Sequence, residues 1–199
     1  MFGANFTGIT ATMMTFTLNA EPSLQRKYFD LRERCYRAEL GLAEFDGGED
    51  EADRLGDLLI ADAGGRCVGG ARIVSGDLVP QALPGEIIAF GKSCVWERFS
   101  LNPQDRSIEL ARRFFDELVG ASWRLGYEQA LMFSSLLNAR FYRRCARATG
   151  AQFDIVGQLD GSASDAFAGL EHYVSVARWQ PATGSLRRAG RNGDGPTSD

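Results

Sequence analysis

The chain has 199 residues, of which 44% are hydrophobic and 24% charged, with a formal net charge of -4. That length and balance suit one globular domain and exclude a disordered chain, a collagen and a coiled coil. The acidic excess gives no basic field for nucleic acid, and no apolar run reaches the ~18 residues of a membrane span.

Residues 1–12 carry no positive leader and read as a disordered extension before a domain spanning 13–179. TFTLN (15–19) reads as a short strand. Pro22 and Ser23 then open a helix, proline in the first turn and serine as the cap. Leu24, Tyr28, Leu31, Cys35 and Ala38 recur at helical spacing, and the helix ends near Leu40 and Gly41. Residues 43–56 read as an acidic loop. Residues 57–74 read as two strands turning at Gly64-Gly65, a hairpin pattern. Residues 75–92 hold Gly and Pro and read as a long loop, of the kind that often carries function. SCVWERFSL (93–101) is a strand, Asp105 to Leu125 an amphipathic helix closed by Gly126, and YEQALMFSS (127–135) a buried strand. Asn138 to Thr149 is a helix ended by Gly150, and 151–157 and 171–179 are the last strands. Residues 180–199 are rich in Pro, Gly, Ser, Thr and Arg and read as a disordered tail.

This order predicts an α/β (α+β) protein: a mixed central sheet flanked by helices in three layers. It is also the order of the Gcn5-related N-acyltransferase fold, although a fold does not set a function. The four cysteines, at 35, 67, 94 and 145, form no CxxC, and His172 is the single histidine. Zinc-ligand spacing is absent, so no metal site is expected. Scattered thiols suit a reducing compartment, which places the protein in the cytoplasm. His172 lies in a strand-like run and reads as structural, which argues against a Ser-His-Asp or Cys-His triad.

Three groups of residues have chemistry to explain. Glu44, Asp46, Glu49, Asp50, Glu51 and Asp53 crowd ten positions, either as a solvated loop or as a site for a cationic substrate. Arg72 and Arg98 sit inside apolar strands, where a charge is either paired or on a wet face. Glu97 and Arg98 are adjacent, so alternation points them to opposite faces and at least one needs a partner elsewhere, for which the acidic loop is a candidate. In NARFYRRCARATGA, Tyr142 either protonates a leaving thiolate or packs on the sheet. Arg140, Arg143, Arg144 and Arg147 make that helix basic, a match for the phosphates of coenzyme A or an acidic carrier protein, or simply a solvated face.

Taken together, residues from about 14 to 160 resemble the acyl-homoserine-lactone synthases of the LuxI type. LRERCYRAELGL resembles their L-R-x-x-x-F helix, with Arg32 and Tyr36 at the pattern positions and Leu42 where tryptophan is usual. Asp50 and Asp53 stand at the family's D-x-x-D spacing before a strand, and Gly48 stands where a further carboxylate is usual. Val68, Gly69 and Arg72 match a V-G-x-x-R strand. VWERFSL keeps Trp96, Glu97, Arg98 and Phe99 of the W-E-x-S-R-F motif without the two residues between Glu and Arg. FYRRCARATGAQFDIVG resembles the family's later helix and strand.

The resemblance implies acyl transfer from acyl carrier protein or acyl-CoA to the amine of S-adenosylmethionine, then lactonisation with release of methylthioadenosine. It implies no tightly bound cofactor, only those two substrates. Glu97, Arg98 and Tyr142 are the implied catalytic residues. Arg32, Tyr36, Leu42, Asp50, Asp53, Arg72, Trp96 and Phe99 are the implied substrate-binding residues. Arg32, Asp50, Asp53 and Arg72 would form an ion network that orders the acidic loop. Removing Asp53 would then cost activity and leave the fold. Leu131 and Phe133 would line the acyl tunnel. Two other classes stay open: an acyl-CoA or acyl-carrier-protein dependent N-acyltransferase acting on an amino acid or other small amine, and an inactive module on the same fold. LNPQDRS replaces the pyrophosphate loop of acetyl-CoA enzymes after the 93–101 strand, although Asp105-Arg106-Ser107 offers a helix start to phosphate.

Overall fold

A computed structural model describes residues 13–78, 92–159, 167, 170 and 172–179. The extension at 1–12, the tail at 180–199 and most of the 75–92 loop lie outside the described residues. Within them, seven strands form one sheet in the order β1-β2-β3-β4-β5-β7-β6. The strands are β1 (Met14–Leu18), β2 (Asp57–Ala63), β3 (Arg66–Ser75), β4 (Ser93–Leu101), β5 (Gln129–Ser134), β6 (Gln152–Leu159) and β7 (His172–Arg178). All neighbours are antiparallel except β4 and β5. Helices α1 (Pro22–Leu40) and α2 (Glu51–Leu55) cover one face; α3 (Ile108–Arg124) and α4 (Leu136–Thr149) cover the other.

Local chemistry accounts for most boundaries. Pro22 opens α1, but its cap is Glu21, whose side chain accepts from the Ser23 N–H; Ser23 itself lies inside the helix. Gly41 and Gly150 close α1 and α4 in the left-handed conformation. Ser107 and Ser135 cap α3 and α4, so these helices begin at Ile108 and Leu136 rather than at Asp105 and Asn138. Asp105 instead pairs with Arg66 across the loop. The 43–56 segment is not all loop. Asp50 caps α2 and the Asp53 side chain bonds back to the Asp50 N–H, a capping box that closes a five-residue helix.

Two layers of core follow. Leu59, Val68, Ala71, Ile73 and Trp96 face Phe114, Phe115 and Leu118 of α3. On the other face Tyr28, Leu31 and Cys35 of α1 pack on Leu58, Ile60 and Cys67. All four thiols are free and buried. His172 sits on β7 with its ring edge-on to Phe167. At Gly70 the Tyr28 ring lies directly on the strand; a Cβ there would fall 2.2 Å from a ring carbon. Gly70→Ala is therefore expected to cost about 2 kcal/mol, which lowers Tm by roughly 4–8 °C in thermal denaturation.

Candidate active site

The site begins where two parallel strands part. β4 and β5 pair only at Ser93–Gln129, Cys94–Ala130 and Val95–Leu131. Beyond those rows β4 continues to Leu101 beside β3, and β5 continues to Ser134 beside β7. The sheet thus opens between Trp96 and Met132, leaving backbone groups of β4 without a β5 partner.

At the same level β4 carries a bulge. Arg72 is opposite Glu97 and Gly70 opposite Ser100, so Arg98 and Phe99 together face one residue of β3. Arg98 takes a φ of 56°, and its carbonyl accepts from the Tyr28 hydroxyl at 2.8 Å. The bulge breaks the alternation. Glu97 and Arg98 both reach the α1/α2 face, whereas Trp96 and Phe99 pack on the α3 side. The expectation that Glu97 and Arg98 diverge fails for this reason; the expectation of a partner in the acidic segment holds for Arg98.

On that face lies one ion network. Arg32 grips Asp53 with both terminal nitrogens, at 2.8 and 2.6 Å, and its Nε donates to the Gly47 carbonyl at 2.7 Å. Gly47 lies so close to α1 that a Cβ would meet Glu33 at 2.3 Å, which fixes glycine there. Arg72 reaches Asp50 at 2.5 Å, Asp53 at 3.1 Å and Glu97 at 2.5 Å. The side chains of Arg32 and Asp53 are 1% exposed, while Glu97 is 34% exposed. Burial is the largest single influence and would raise the Asp50 carboxyl, but the bond to Arg72, the Asp53 N–H and the charges of Arg72 and Arg32 together outweigh it and hold Asp50 at about 2. The cations near the carboxylates are thus the protein's own arginines. Glu44, Asp46, Glu49 and Glu51 remain exposed.

Beside the network three rings pack around the Arg98 guanidinium: Phe167 at 4.7 Å, Phe45 at 5.0 Å and Tyr36 at 5.7 Å. Such contacts favour a cation. Asp50 is 4.0 Å away. Tyr36 and Phe45 stack at 4.7 Å. Leu42 is half-buried in the loop, and Phe45 rather than Leu42 supplies the ring. The sequence reading missed Phe45 and Phe167. Phe45 was discoverable as the aromatic residue inside the acidic run; nothing in the sequence pointed to Phe167.

Trp96 does not join this cluster. It is 5% exposed, stacked 5.7 Å from Trp179, and its Nε1 donates to the Ser122 hydroxyl at 2.8 Å. Next to Glu97 on a regular stretch of strand, it faces the opposite layer and so stands apart from the ion network. Phe99 packs edge-on to Phe114 and to Tyr142. It stands with Tyr142 on the α3/α4 side of the opening rather than at the ion network. Burial pushes the Tyr142 hydroxyl up, and among the described residues it has no hydrogen-bond partner. Leu131 and Phe133 cluster with Val74, Val95 and Val174 on the α1/α2 face, remote from Tyr142's layer.

Among solved structures, the chain is similar to the AHL synthase LasI, with a TM-score of 0.64 and 15% identity over 84% of this chain and 90% of that one. It is similar to TofI, solved with an inhibitor and MTA, with a TM-score of 0.59 and 16% identity over 82% and 91%. It is also similar to an acyl-CoA N-acyltransferase from Pseudomonas aeruginosa, with a TM-score of 0.56 and 13% identity over 84% and 100%. The chain has the Gcn5-related N-acyltransferase fold. No protein-family model and no curated protein matches the sequence. Among the described residues no cluster of potential ligands could hold a metal ion, and no helix is long and apolar enough to cross a membrane.

Proposed function

We propose that the chain transfers an acyl group from a thioester, on acyl carrier protein or coenzyme A, to the amine of S-adenosylmethionine and closes the product to an acyl-homoserine lactone. The observation that carries this reading is the Arg32–Asp53–Arg72–Asp50–Glu97 network ending at the parted strands, where Glu97 is the part-exposed carboxylate carried by β4 itself. The likeness to LasI and TofI supports the choice of acceptor.

In this mechanism Glu97, through water, takes a proton from the methionyl ammonium. The amine nitrogen attacks the thioester carbonyl, and unpaired N–H groups of β4 receive the oxyanion. The nitrogen sheds its second proton to solvent, the tetrahedral intermediate collapses, the C–S bond breaks and Tyr142 gives its proton to the thiolate, regaining one from solvent. A methionyl carboxylate oxygen then attacks the carbon beside the sulfonium, forming the lactone and expelling methylthioadenosine. Arg32, Asp50, Asp53 and Arg72 hold the loop and Glu97 in place; Tyr36, Phe45 and Arg98 line the acceptor side. Tyr142→Phe is expected to lower kcat by about 10² in steady-state thiol release, with Tm unchanged. A tyrosine that only packs would lose almost nothing as phenylalanine.

The test is mass spectrometry of purified protein with S-adenosylmethionine and a panel of acyl-carrier-protein and acyl-CoA thioesters. Acyl-homoserine lactone together with methylthioadenosine is the expected product pair. Thioester consumption that needs an added amino acid or amine and yields no methylthioadenosine would transfer the acceptor role to that amine. One observation favours that second reading: the ring cluster already holds a cation, Arg98. No consumption of any thioester would overturn acyl transfer itself.

A further inference from the structure

Tyr28 is 0% exposed, and its hydroxyl ties α1 to the backbone of β4. The ring lies on Gly70 of β3, and the hydroxyl reaches past it to donate to the Arg98 carbonyl at 2.8 Å. Burial pushes that hydroxyl up, so it keeps its proton and donates. The Ser100 hydroxyl also donates to the same carbonyl, at 3.3 Å. Satisfying the oxygen therefore does not by itself call for a tyrosine. What Tyr28 adds is a direction, a pull on the carbonyl from outside the strand.

The direction matters because Arg98 is the bulged residue. Its φ of 56° is one that an arginine adopts at a cost, and such a backbone persists only where its surroundings hold it. The Arg98–Phe99 peptide is trans, so the Arg98 carbonyl and the Phe99 N–H point in opposite directions. Tyr28 draws the carbonyl toward β3 and α1. The Phe99 N–H then points away from β3, to the side where β4 has no β5 partner beyond Val95. The β3–β4 register passes over both Arg98 and Phe99, so regular pairing does not claim this peptide. The Phe99 ring meets Tyr142 edge-on at 5.8 Å. The N–H so aimed thus belongs to the residue that touches the leaving-group acid.

We propose that Tyr28 is a positioning residue for acyl transfer: its hydroxyl locks the Arg98 bulge so that the Phe99 N–H faces the thioester oxygen. This rests on the acyl-transfer reading and goes beyond it by naming the side chain that aims the oxyanion donor. Tyr28 itself is sealed under α1 and acts through the backbone alone. A donor aimed in advance needs no reorganisation as charge develops on the oxygen. Without the hydroxyl the bulge can relax toward regular pairing with β3, which turns the N–H out of the opening.

The test is Tyr28→Phe in the full chain, which keeps the ring on Gly70 and deletes only the hydroxyl. Steady-state rates are measured with the thioester and acceptor that wild type turns over best, from hexanoyl thioesters of acyl carrier protein and coenzyme A, S-adenosylmethionine and a pool of amino acids. kcat is expected to fall roughly ten- to a hundredfold, short of the loss from removing an oxyanion donor outright. KM for both substrates should change by less than about twofold, because the ground state gains little from that donor. Tm should fall by roughly 2–4 °C, the share of one hydrogen bond. A tyrosine that only packs would lower Tm and leave kcat alone well below Tm. A second measurement needs no turnover: the infrared carbonyl band of the same thioester, isotopically labelled at its carbonyl carbon. It is expected to move to lower frequency on binding wild type and to move less on binding Tyr28→Phe. Should the variant fold too weakly for rates, that band, read on the folded protein in the cold, decides alone. An unchanged kcat, a loss carried by KM, or an equal carbonyl shift in both proteins would overturn the role of Tyr28 and leave acyl transfer standing. No turnover of any thioester by wild type would overturn the acyl-transfer reading and this inference with it.

Discussion

Asp53→Ala is expected to be the most destabilising single substitution in the ion network, lowering stability by about 3–5 kcal/mol. Asp53 accepts from Arg32 twice, from Arg72 and from the Asp50 N–H. Its removal strands the Arg32 guanidinium, whose side chain is 1% exposed, with no carboxylate in reach. Gly47 and Gly48 carbonyls still accept from Arg32, but they carry no net charge. It also removes one half of the capping box that closes α2. Since each kcal/mol shifts Tm by roughly 2–4 °C at this size, the fall is about 6–20 °C in thermal denaturation. The sequence expectation that losing Asp53 spares the fold is thereby revised. Replacing Arg32 and Asp53 together by apolar residues of similar volume should cost less than Asp53→Ala alone, because no buried charge is then orphaned. A Tm within about 2 °C of wild type for Asp53→Ala would contradict the buried pair.

Most of the fold was legible because its signals are local. Gly64-Gly65 turns the β2–β3 hairpin with φ of 63° and 82°, values that favour glycine. Gly41 and Gly150 end helices whose apolar spacing had already named them. The ion network was legible through the family resemblance, which implied a cluster of Arg32, Asp50, Asp53 and Arg72; their spacing alone left a solvated loop open. What escaped depends on long-range geometry. A bulge adds one residue to one strand, and no alternation pattern announces where it falls. Here it sits at Arg98 and reverses the facing of everything after it, which sends Phe99 to Tyr142 rather than to the network. The five residues of α2 are too few to show a periodicity, so an acidic run concealed a helix. The place of Trp96 apart from the ion network was local by contrast: strand alternation already separates it from Glu97.

Glu97→Gln is expected to lower kcat/KM by 10²–10³, roughly, and to shift Tm by less than about 2 °C. The two halves of that expectation come from the two oxygens. Oε2 accepts from Arg72 Nε at 3.1 Å and from Nη2 at 2.5 Å. Oε1 has no partner among the described residues, and the side chain is one-third exposed. A glutamine can keep its amide oxygen on Arg72, so that contact survives without charge. Its NH2 then occupies the outer position, where it donates and cannot take a proton from an incoming ammonium. Arg72 still holds Asp50 and Asp53, which is why the fold tolerates the change. Should Glu97→Gln keep half or more of wild-type turnover, Glu97 would be a positioning partner of Arg72, and the proton would have to leave by way of another group at the opening.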